Sequence, residues 1–355
     1  MPNTNDTGLD RRAVPPSPEP AFFRPFRPSL APGRILLLLA VMMIPVFLTL
    51  LPFLVKESEL PQGQALLAGP VNVTSGDELI GLLKEKGLWE IAGNFAVPRM
   101  ILSSYPANIG ALDPEAKKKA FLNSLLPAAL VAMAEVEKEK ESLHAILVKL
   151  PADSWERLLT EPVDVWPVVL GKPESEELFA LCRKYRTDRV DELLKRVEVV
   201  PISLLMAQAA LESSWGGSRI AREGNNLFGV VTWGDDAVPP PGGSDGSGQR
   251  YASYGSILES VRAYVVMLNR LPSYQRFREI RSRSRDPQKM AEGLKNYSER
   301  RSAYVGDIKE VMLVNRLDRY DGCFLAQPAA PPARADGPLG DLWKRLDWTT
   351  RAVAI

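Results

Sequence analysis

The feature that most constrains this chain is an uncharged run of 21 residues, Ile35–Val55. At about 1.5 Å per residue, a helix of that length spans roughly 31 Å, which is enough to cross the hydrocarbon core of a bilayer. Pro45 and Pro52 interrupt the run, and a membrane helix tolerates such prolines better than a soluble helix does. The run is too long for a core helix and starts late for a cleaved signal peptide. It therefore predicts a single transmembrane helix over residues 35–55.

The flanks of this run differ in charge. Residues 1–34 contain eight prolines without hydrophobic periodicity, which predicts a disordered tail. Three arginines of the tail precede the apolar run, whereas one lysine and two glutamates follow it: Arg24, Arg27 and Arg34, then Lys56, Glu57 and Glu59. Since basic residues favour the cytoplasmic side, we expect a cytoplasmic N-terminus and residues 56 onward on the other side of the membrane.

Composition excludes several classes of function. A net charge of +1 argues against a general nucleic-acid binder, which needs a basic surface. One histidine, His144, and two cysteines, Cys182 and Cys323, cannot form a histidine-cluster or cysteine-rich metal site, so we expect no metal and no cofactor. Whether the cysteines form a disulfide stays open. Five arginines form one basic run, which we interpret as a solvated helix end rather than an anion-binding patch: Arg276, Arg278, Arg281, Arg283 and Arg285.

The remainder of the chain is predicted to be mainly helical. Residues 56–105 are interpreted as a linker or accessory segment, 106–325 as the main domain, and 326–355 as an Ala/Pro linker with a short amphipathic tail. A small β element is expected near residues 230–233, before a Pro/Gly-rich loop over 239–248. Besides a long helix starting at Pro114, apolar spacing predicts these helices: Glu78–Lys86, Ser175–Tyr185, Val190–Val199, Ser203–Trp215, Ser256–Asn269, Asp286–Tyr297 and Ala303–Leu317.

One carboxyl group stands out on the predicted helix Ser203–Trp215. Leu204, Gln208, Glu212 and Trp215 recur at helical spacing on a face that is otherwise apolar. Gly216 and Gly217 follow, as they do at a helix end. Desolvation and the negative end of the helix dipole both raise the pKa of a carboxyl group in the last turn, which suits a general acid for cleaving a glycosidic bond. The alternative is a solvated glutamate at a helix end.

A family resemblance supports the first interpretation. The segments Glu-Ser-Ser-Trp-Gly-Gly-Ser at 212–218 and Ala-Arg-Glu-Gly-Asn-Asn-Leu-Phe-Gly at 221–229 resemble the signature of the endo-β-N-acetylglucosaminidases that cleave peptidoglycan, most closely the Bax-like branch. Residues 113–121, 199–204 and 297–304 extend the likeness, which covers roughly residues 95–322. The resemblance implies an α+β, mainly helical, lysozyme-like fold in which a helical lobe and a small β lobe enclose a sugar-binding cleft.

The resemblance also implies roles for residues near the cleft. Glu212 takes the position of the catalytic acid, and Tyr297 and Tyr304 resemble the paired tyrosines that position the acid or the sugar. Side chains at Asn225 and Asn226 are expected to bond sugar hydroxyls or the N-acetyl group. Further substrate contacts are predicted for three aromatic residues, with Trp233 as the best candidate for stacking on a sugar face: Trp215, Phe228 and Trp233.

The partner of the acid is less well defined. A second carboxyl group is expected about 5–5.5 Å away in a retaining enzyme and about 6.5–9.5 Å away in an inverting one. Asp235 and Asp236 are the main candidates, with Asp245 in the same region, whereas Glu223 is interpreted as a helix-surface residue. Substrate-assisted cleavage, in which the acetamido group of the sugar attacks, would need no second carboxylate as nucleophile.

The sequence thus predicts a peptidoglycan hydrolase anchored by one helix in a bacterial inner membrane. Its catalytic domain would face the periplasm and cleave β-1,4 bonds after N-acetylglucosamine, with glycan strands as the binding partner. Two alternatives stay open: a lytic transglycosylase, which also uses a single acid/base glutamate, and a peptidoglycan-binding scaffold without catalytic activity.

Overall fold

The computed structural model describes residues 69–150, 170–232, 237–238 and 250–326, with the backbone alone for 237–238. The predicted tail, the predicted transmembrane helix over 35–55 and nearly all of the predicted C-terminal segment lie outside these residues. So do Trp233, Asp235, Asp236 and Asp245.

The described part of the chain is mainly helical with few strands, as predicted. Its helices are α1 (Gly76–Glu85), α2 (Pro114–Val148), α3 (Lys172–Tyr185), α4 (Val190–Arg196), α5 (Ile202–Ser213), α6 (Arg219–Gly224), α7 (Ile257–Arg270), α8 (Gln275–Arg281), α9 (Pro287–Ala291) and α10 (Ser302–Val314). Its strands are β1 (Ala96–Val97), β2 (Val231–Thr232), β3 (Ala237–Val238), β4 (Arg250–Ala252) and β5 (Phe324–Leu325).

Local side-chain chemistry fixes several helix starts. Ser75, Asp113 and Ser256 each accept hydrogen bonds from backbone amides in the first turn of the helix that follows. These bonds satisfy amides that have no partner within the helix. Helix α5 differs, because Pro201 precedes it and offers no capping side chain. Instead the Asp321 carboxylate accepts the amide of Ser203 at 2.8 Å, so a residue distant in sequence supplies the cap.

The strands form two small sheets. β1 and β5 pair in parallel, with Ala96 opposite Phe324, and so join the two ends of the described chain. β2, β4 and β3 form an antiparallel sheet in which β4 lies in the middle. Val231 pairs with Tyr251 in this sheet, which is the small β element expected after the Asn-Asn-Leu-Phe-Gly segment.

Helix α5 lies at the centre of the main hydrophobic core. It packs against α2, α10 and the 3₁₀ turn Leu317–Tyr320, and it is buried from Ile202 to Ala210. Helix α2 is long and apolar enough to span a membrane by length and composition, but 83% of its apolar window is buried inside the fold. In the described residues, α2 therefore serves as a core helix.

A second hydrophobic cluster lies beside the first. It joins the C-terminal turns of α2 to α3 and α4 through Leu143, Leu178 and Leu193. Cys182 belongs to this second cluster, whereas Cys323 belongs to the main core. Both thiols are free, so the question that the sequence left open is answered by their placement in separate clusters.

Three expectations differ from the structure. Residues 73–105 supply Val73, Leu79, Leu102 and other side chains to the main core, so the hydrophobic core does not break at the predicted boundary between residues 105 and 106. Helix α5 ends at Ser213 rather than at Trp215. The predicted helix Asp286–Tyr297 is shorter, because α9 ends at Ala291 and a 3₁₀ turn follows it.

The arginine run also differs from its interpretation as a solvated helix end. Arg278 and Arg281 are buried, with 2% and 3% of their surfaces exposed. Arg278 donates to the carbonyls of Leu268 and Leu271 at the end of α7, and Arg281 donates to the carbonyl of Lys195 in α4. The last carbonyls of a helix have no partner within it, and these guanidinium groups supply one.

Candidate active site

The candidate site begins where α5 ends. Ser214, Trp215 and Gly216 all adopt positive φ angles, of 52°, 59° and 74°, which reverses the chain sharply. The Ser213 hydroxyl holds this reversal, since it donates to the carbonyl of Ala209 and accepts the amide of Gly216 at 2.8 Å. The turn leaves Glu212 in the last turn of the helix and carries Trp215 away from the helical face on which the sequence had grouped it.

Glu212 is half-buried, and desolvation raises its pKa above the ordinary value of 4.5. A hydrogen bond from the Tyr304 hydroxyl acts in the opposite direction and lowers that pKa, but desolvation is the larger effect. Among the described residues, no cation contributes to the shift. The carboxyl group therefore holds its proton at a higher pH than a solvated glutamate does.

Buried polar side chains lead from the core to Glu212. The Tyr264 hydroxyl in α7 donates to the Gln208 Oε1 atom at 2.5 Å. The Gln208 Nε2 atom donates to the Tyr304 hydroxyl at 3.0 Å. Tyr304, in the first turn of α10, bonds in turn to Glu212. We call these four residues the buried polar chain; it links α7, α5 and α10 around one carboxyl group.

The segment after α6 approaches Glu212 from another side. Gly229 has a φ angle of 65°, and a Cβ atom placed there would lie 3.3 Å from the Glu212 Oε2 atom. Glycine suits this position, because a side chain would strain the backbone and press on the carboxyl group. The preceding carbonyl, of Phe228, accepts the Tyr297 hydroxyl at 2.6 Å. Tyr297 also stacks on Tyr304 with ring centroids 5.5 Å apart.

The structure thus brings Glu212, Tyr297 and Tyr304 together, as their predicted roles require. Burial raises the pKa of both tyrosine hydroxyls, and the charge of Glu212 raises each of them further. Both therefore stay protonated and act as hydrogen-bond donors at neutral pH. Two further tyrosines interact electrostatically with Glu212: Tyr264 and Tyr274.

The asparagines and Phe228 are placed differently from their predicted contacts with sugar. The Asn226 amide donates to the carbonyls of Val230 and Ala252 and accepts the amide of Val230, so it fastens the loop to β4. Asn225 adopts a left-handed φ of 50° and donates to the carbonyl of Tyr254. The Phe228 ring is buried and stacks on Tyr264 at 4.0 Å. These side chains build the loop that presents the Gly229 backbone to Glu212.

Trp215 is half-buried beside the start of α2. Its ring meets Phe121 edge-on at 6.1 Å, and the Lys118 Nζ atom lies 5.8 Å from its centroid. This placement leaves part of the ring at the surface, where a sugar could stack. Glu223, which had been interpreted as a surface residue, is exposed and forms an ion pair with Arg219 at 2.8 Å.

Gln208 and Tyr264 are the members of the site to which the sequence gave no role. Gln208 offers a signal, because it is a polar residue one turn before Glu212 in a helix whose neighbouring residues are apolar. Tyr264 offers none, since one tyrosine on a helix that is apolar on one face looks like any core aromatic.

Comparisons with known proteins agree with the motif. Residues 187–317 match the family described as Mannosyl-glycoprotein endo-beta-N-acetylglucosaminidase. The chain is 30% identical over 202 residues to Protein bax of Escherichia coli strain K12, an alignment that covers 53% of this chain and 66% of that protein. It is 35% identical over 96 residues to the Peptidoglycan hydrolase FlgJ of the same strain, covering 23% of this chain and 31% of FlgJ.

Two solved structures are also similar. The catalytic domain of the autolysin Auto from Listeria monocytogenes is 24% identical, with a TM-score of 0.27, over 40% of this chain and 79% of that one. The glycoside hydrolase domain of FlgJ from Salmonella typhimurium is 28% identical, with a TM-score of 0.25, over 33% of this chain and 76% of that one. The family assignment rests on the sequence matches: this chain is a Bax-like member of the glucosaminidase family. It spans just under two thirds of Bax and about a third of FlgJ.

Proposed function

We propose that this protein is a peptidoglycan hydrolase that cleaves the β-1,4 bond after N-acetylglucosamine, with Glu212 as the general acid. One observation carries the proposal: Glu212 is half-buried, its pKa is raised by desolvation, and it lies in the family motif beside two tyrosine hydroxyls and the Gly229 backbone. A carboxyl group that keeps its proton near neutral pH can protonate a leaving group.

The chemistry follows from this arrangement. The Glu212 carboxyl group donates its proton to the glycosidic oxygen as the bond between that oxygen and C1 of N-acetylglucosamine breaks. The bonding electron pair leaves on the oxygen, and positive charge develops at C1. Tyr304 fixes the carboxyl group during this step, and Tyr297 holds the Phe228 carbonyl and the adjoining Gly229 backbone. The lysozyme-like cleft between a helical lobe and the small β sheet is the proposed path of the glycan strand.

The group that meets the positive charge at C1 is the second part of the proposal. Among the described residues, no other carboxyl group contributes to the pKa shift of Glu212. Asp235 and Asp236 stay candidates for a base or nucleophile, and attack by the acetamido group of the sugar is the alternative. We expect Asp235→Asn or Asp236→Asn to lower the rate by about 10²-fold or more if that carboxylate takes part.

Digestion of purified sacculi tests the assignment of the acid. Glu212→Gln should lower muropeptide release by about 10²–10⁴-fold, because the amide cannot supply the proton. Glu223→Gln is the matched control, since Glu223 is the exposed glutamate of the same motif and its replacement should leave release unchanged. Full release by the Glu212→Gln enzyme would overturn the assignment.

Mass spectrometry of the released fragments separates the competing reactions. Reducing N-acetylglucosamine ends are expected from a glucosaminidase, whereas anhydro-sugar ends would identify a lytic transglycosylase. Binding to sacculi without any product would favour a scaffold. A scaffold has no need of a desolvated carboxyl group, and for this reason we favour the enzyme.

The membrane placement belongs to the same proposal. The uncharged run 35–55 and the arginines before it support a single-pass inner-membrane protein whose domain, residues 106–325 with the adjoining core segment, lies in the periplasm. Anchoring would confine a wall-degrading activity to the vicinity of the membrane. A C-terminal tag should be digested by protease in spheroplasts, and its protection there would contradict this orientation.

A further inference from the structure

We infer that Gln208 is a positioning residue that directs the hydroxyl proton of Tyr304 towards Glu212. The inference rests on the proposed role of Glu212 as the general acid and extends it to the residues behind the acid. It depends on the direction of each hydrogen bond in the buried polar chain.

A tyrosine hydroxyl carries one proton and can also accept a hydrogen bond. Because the Gln208 Nε2 atom donates to the Tyr304 oxygen, at 3.0 Å, the proton of Tyr304 cannot point back at Gln208. It is free for the carboxyl group of Glu212, which is the next partner of Tyr304. The direction of this last bond is therefore set one residue earlier, by the amide.

The orientation of the amide is set in turn by Tyr264. The Tyr264 hydroxyl donates to the Gln208 Oε1 atom at 2.5 Å, and this bond keeps the amide nitrogen on the side of Tyr304. Were the amide turned over, Tyr304 would have to donate to Gln208 Oε1, and Glu212 would lose its donor. Gln208 and Tyr264 are both fully buried, so water cannot replace either bond.

The site gives this direction a chemical consequence. A hydroxyl that always donates to Glu212 fixes the rotation of the carboxyl group and offsets part of the desolvation that raises its pKa. The groups that interact with Glu212 or with the buried polar chain are Tyr264, Tyr274, Tyr297, Tyr304 and the Arg281 guanidinium, which interacts with Tyr264. The tyrosines are neutral and Arg281 is charged at neutral pH, so Glu212 is the group that titrates in the working range.

Two substitutions change the chain in different ways. Gln208→Glu, when ionised, accepts from both tyrosines, so Tyr304 turns its proton away from Glu212. Gln208→Met removes both bonds without adding charge. Since Gln208 is buried and does not reach the surface, we expect kcat on sacculi to fall about 10–100-fold in both variants with KM nearly unchanged. The alkaline limb of the pH–rate profile should also move to higher pH, further for Gln208→Glu than for Gln208→Met.

A matched control removes the general effect of disturbing a buried amide. The Asn123 amide is equally buried, accepts the Tyr320 hydroxyl at 2.6 Å and donates to the carbonyls of Leu88 and Trp89, away from the site. Asn123→Leu and Asn123→Asp should lower the melting temperature while leaving the pH limb in place. Assays run well below the melting temperature of each variant keep the comparison to folded protein.

A double-mutant cycle tests whether Gln208 acts through Tyr304. In a Tyr304→Phe background the amide has no hydroxyl to direct, so adding Gln208→Met should cost far less than the same change costs in the parent enzyme. An equal fold-loss of kcat in both backgrounds, or an unmoved alkaline limb in Gln208→Glu, would overturn the inference. These outcomes are distinct from full activity in Glu212→Gln, which would overturn the proposed acid itself.

Discussion

Two glutamates flank helix α5, and they have opposite electrostatic settings. Glu198 lies before the helix, with a side chain only 15% exposed, and Glu212 lies in its last turn. Desolvation acts on both carboxyl groups and raises the pKa of Glu212. For Glu198 the Lys140 ammonium at 2.9 Å, the amide of Val199 and the Arg285 guanidinium outweigh desolvation, so its pKa is lowered.

The comparison shows that partners, rather than burial, decide what a half-buried carboxylate does. At the start of α5, packing brings the charged half of α2 and the arginines of α8 around Glu198. At the other end, packing brings tyrosines from α7 and α10, which donate hydrogen bonds but carry no positive charge. The first setting stabilises the carboxylate in the fold, whereas the second leaves a carboxyl group that holds its proton.

The largest effect expected from this contrast is on stability at pH 7. Glu198→Gln should lower the free energy of unfolding by about 2 kcal/mol, because charged hydrogen bonds are lost and half-buried Lys140 keeps no anionic partner at this position. Glu212→Gln should raise the same free energy by a smaller amount, because no desolvated charge remains. Urea denaturation of the two variants checks both signs, and a loss of stability in both would contradict the contrast.

A smaller effect is expected where the backbone meets Glu212. Gly229→Ala places a methyl group about 3.3 Å from the Glu212 Oε2 atom at a φ of 65°, so we expect about a tenfold loss of kcat. Gly81→Ala is the control, since Gly81 lies in α1 with open space around it and should gain about 0.5–1 kcal/mol of stability with unchanged activity. Unaltered turnover in Gly229→Ala would show that the close approach has no role.

The smallest effect is the pH dependence of stability. The raised pKa of Glu212 contributes stability that is present below its ordinary pKa of 4.5 and is lost as the pH rises through the folded value. The lowered pKa of Glu198 contributes stability that is present above 4.5 and is lost as the pH falls through the folded value. The stability difference between each glutamine variant and the parent should therefore shrink on acidification. Urea midpoints between pH 4 and pH 8 measure this, and a constant difference for either variant would argue against its assigned shift.

Much of the helical architecture was predictable because it depends on neighbours in sequence. Ser75, Asp113 and Ser256 begin helices for reasons that the first turn alone contains. The apolar spacing of α5 and the position of Glu212 near its end were likewise visible, as was a β element after Gly229. The end of α5 was placed two residues too late, since the Gly-Gly pair concealed a reversal that starts at Ser214.

What the sequence determined by itself, then, is the uncharged run, the helical periodicity and one glutamate in an apolar helix end, since each depends on residues within a few turns of one another. The tertiary structure decided the rest. It buried Arg278 and Arg281 under helix ends, drew residues 73–105 into the main core, and set Tyr264 and Gln208 behind Tyr304. These outcomes depend on which helices pack together, and the direction of a buried hydrogen bond exists only once both of its partners are in place.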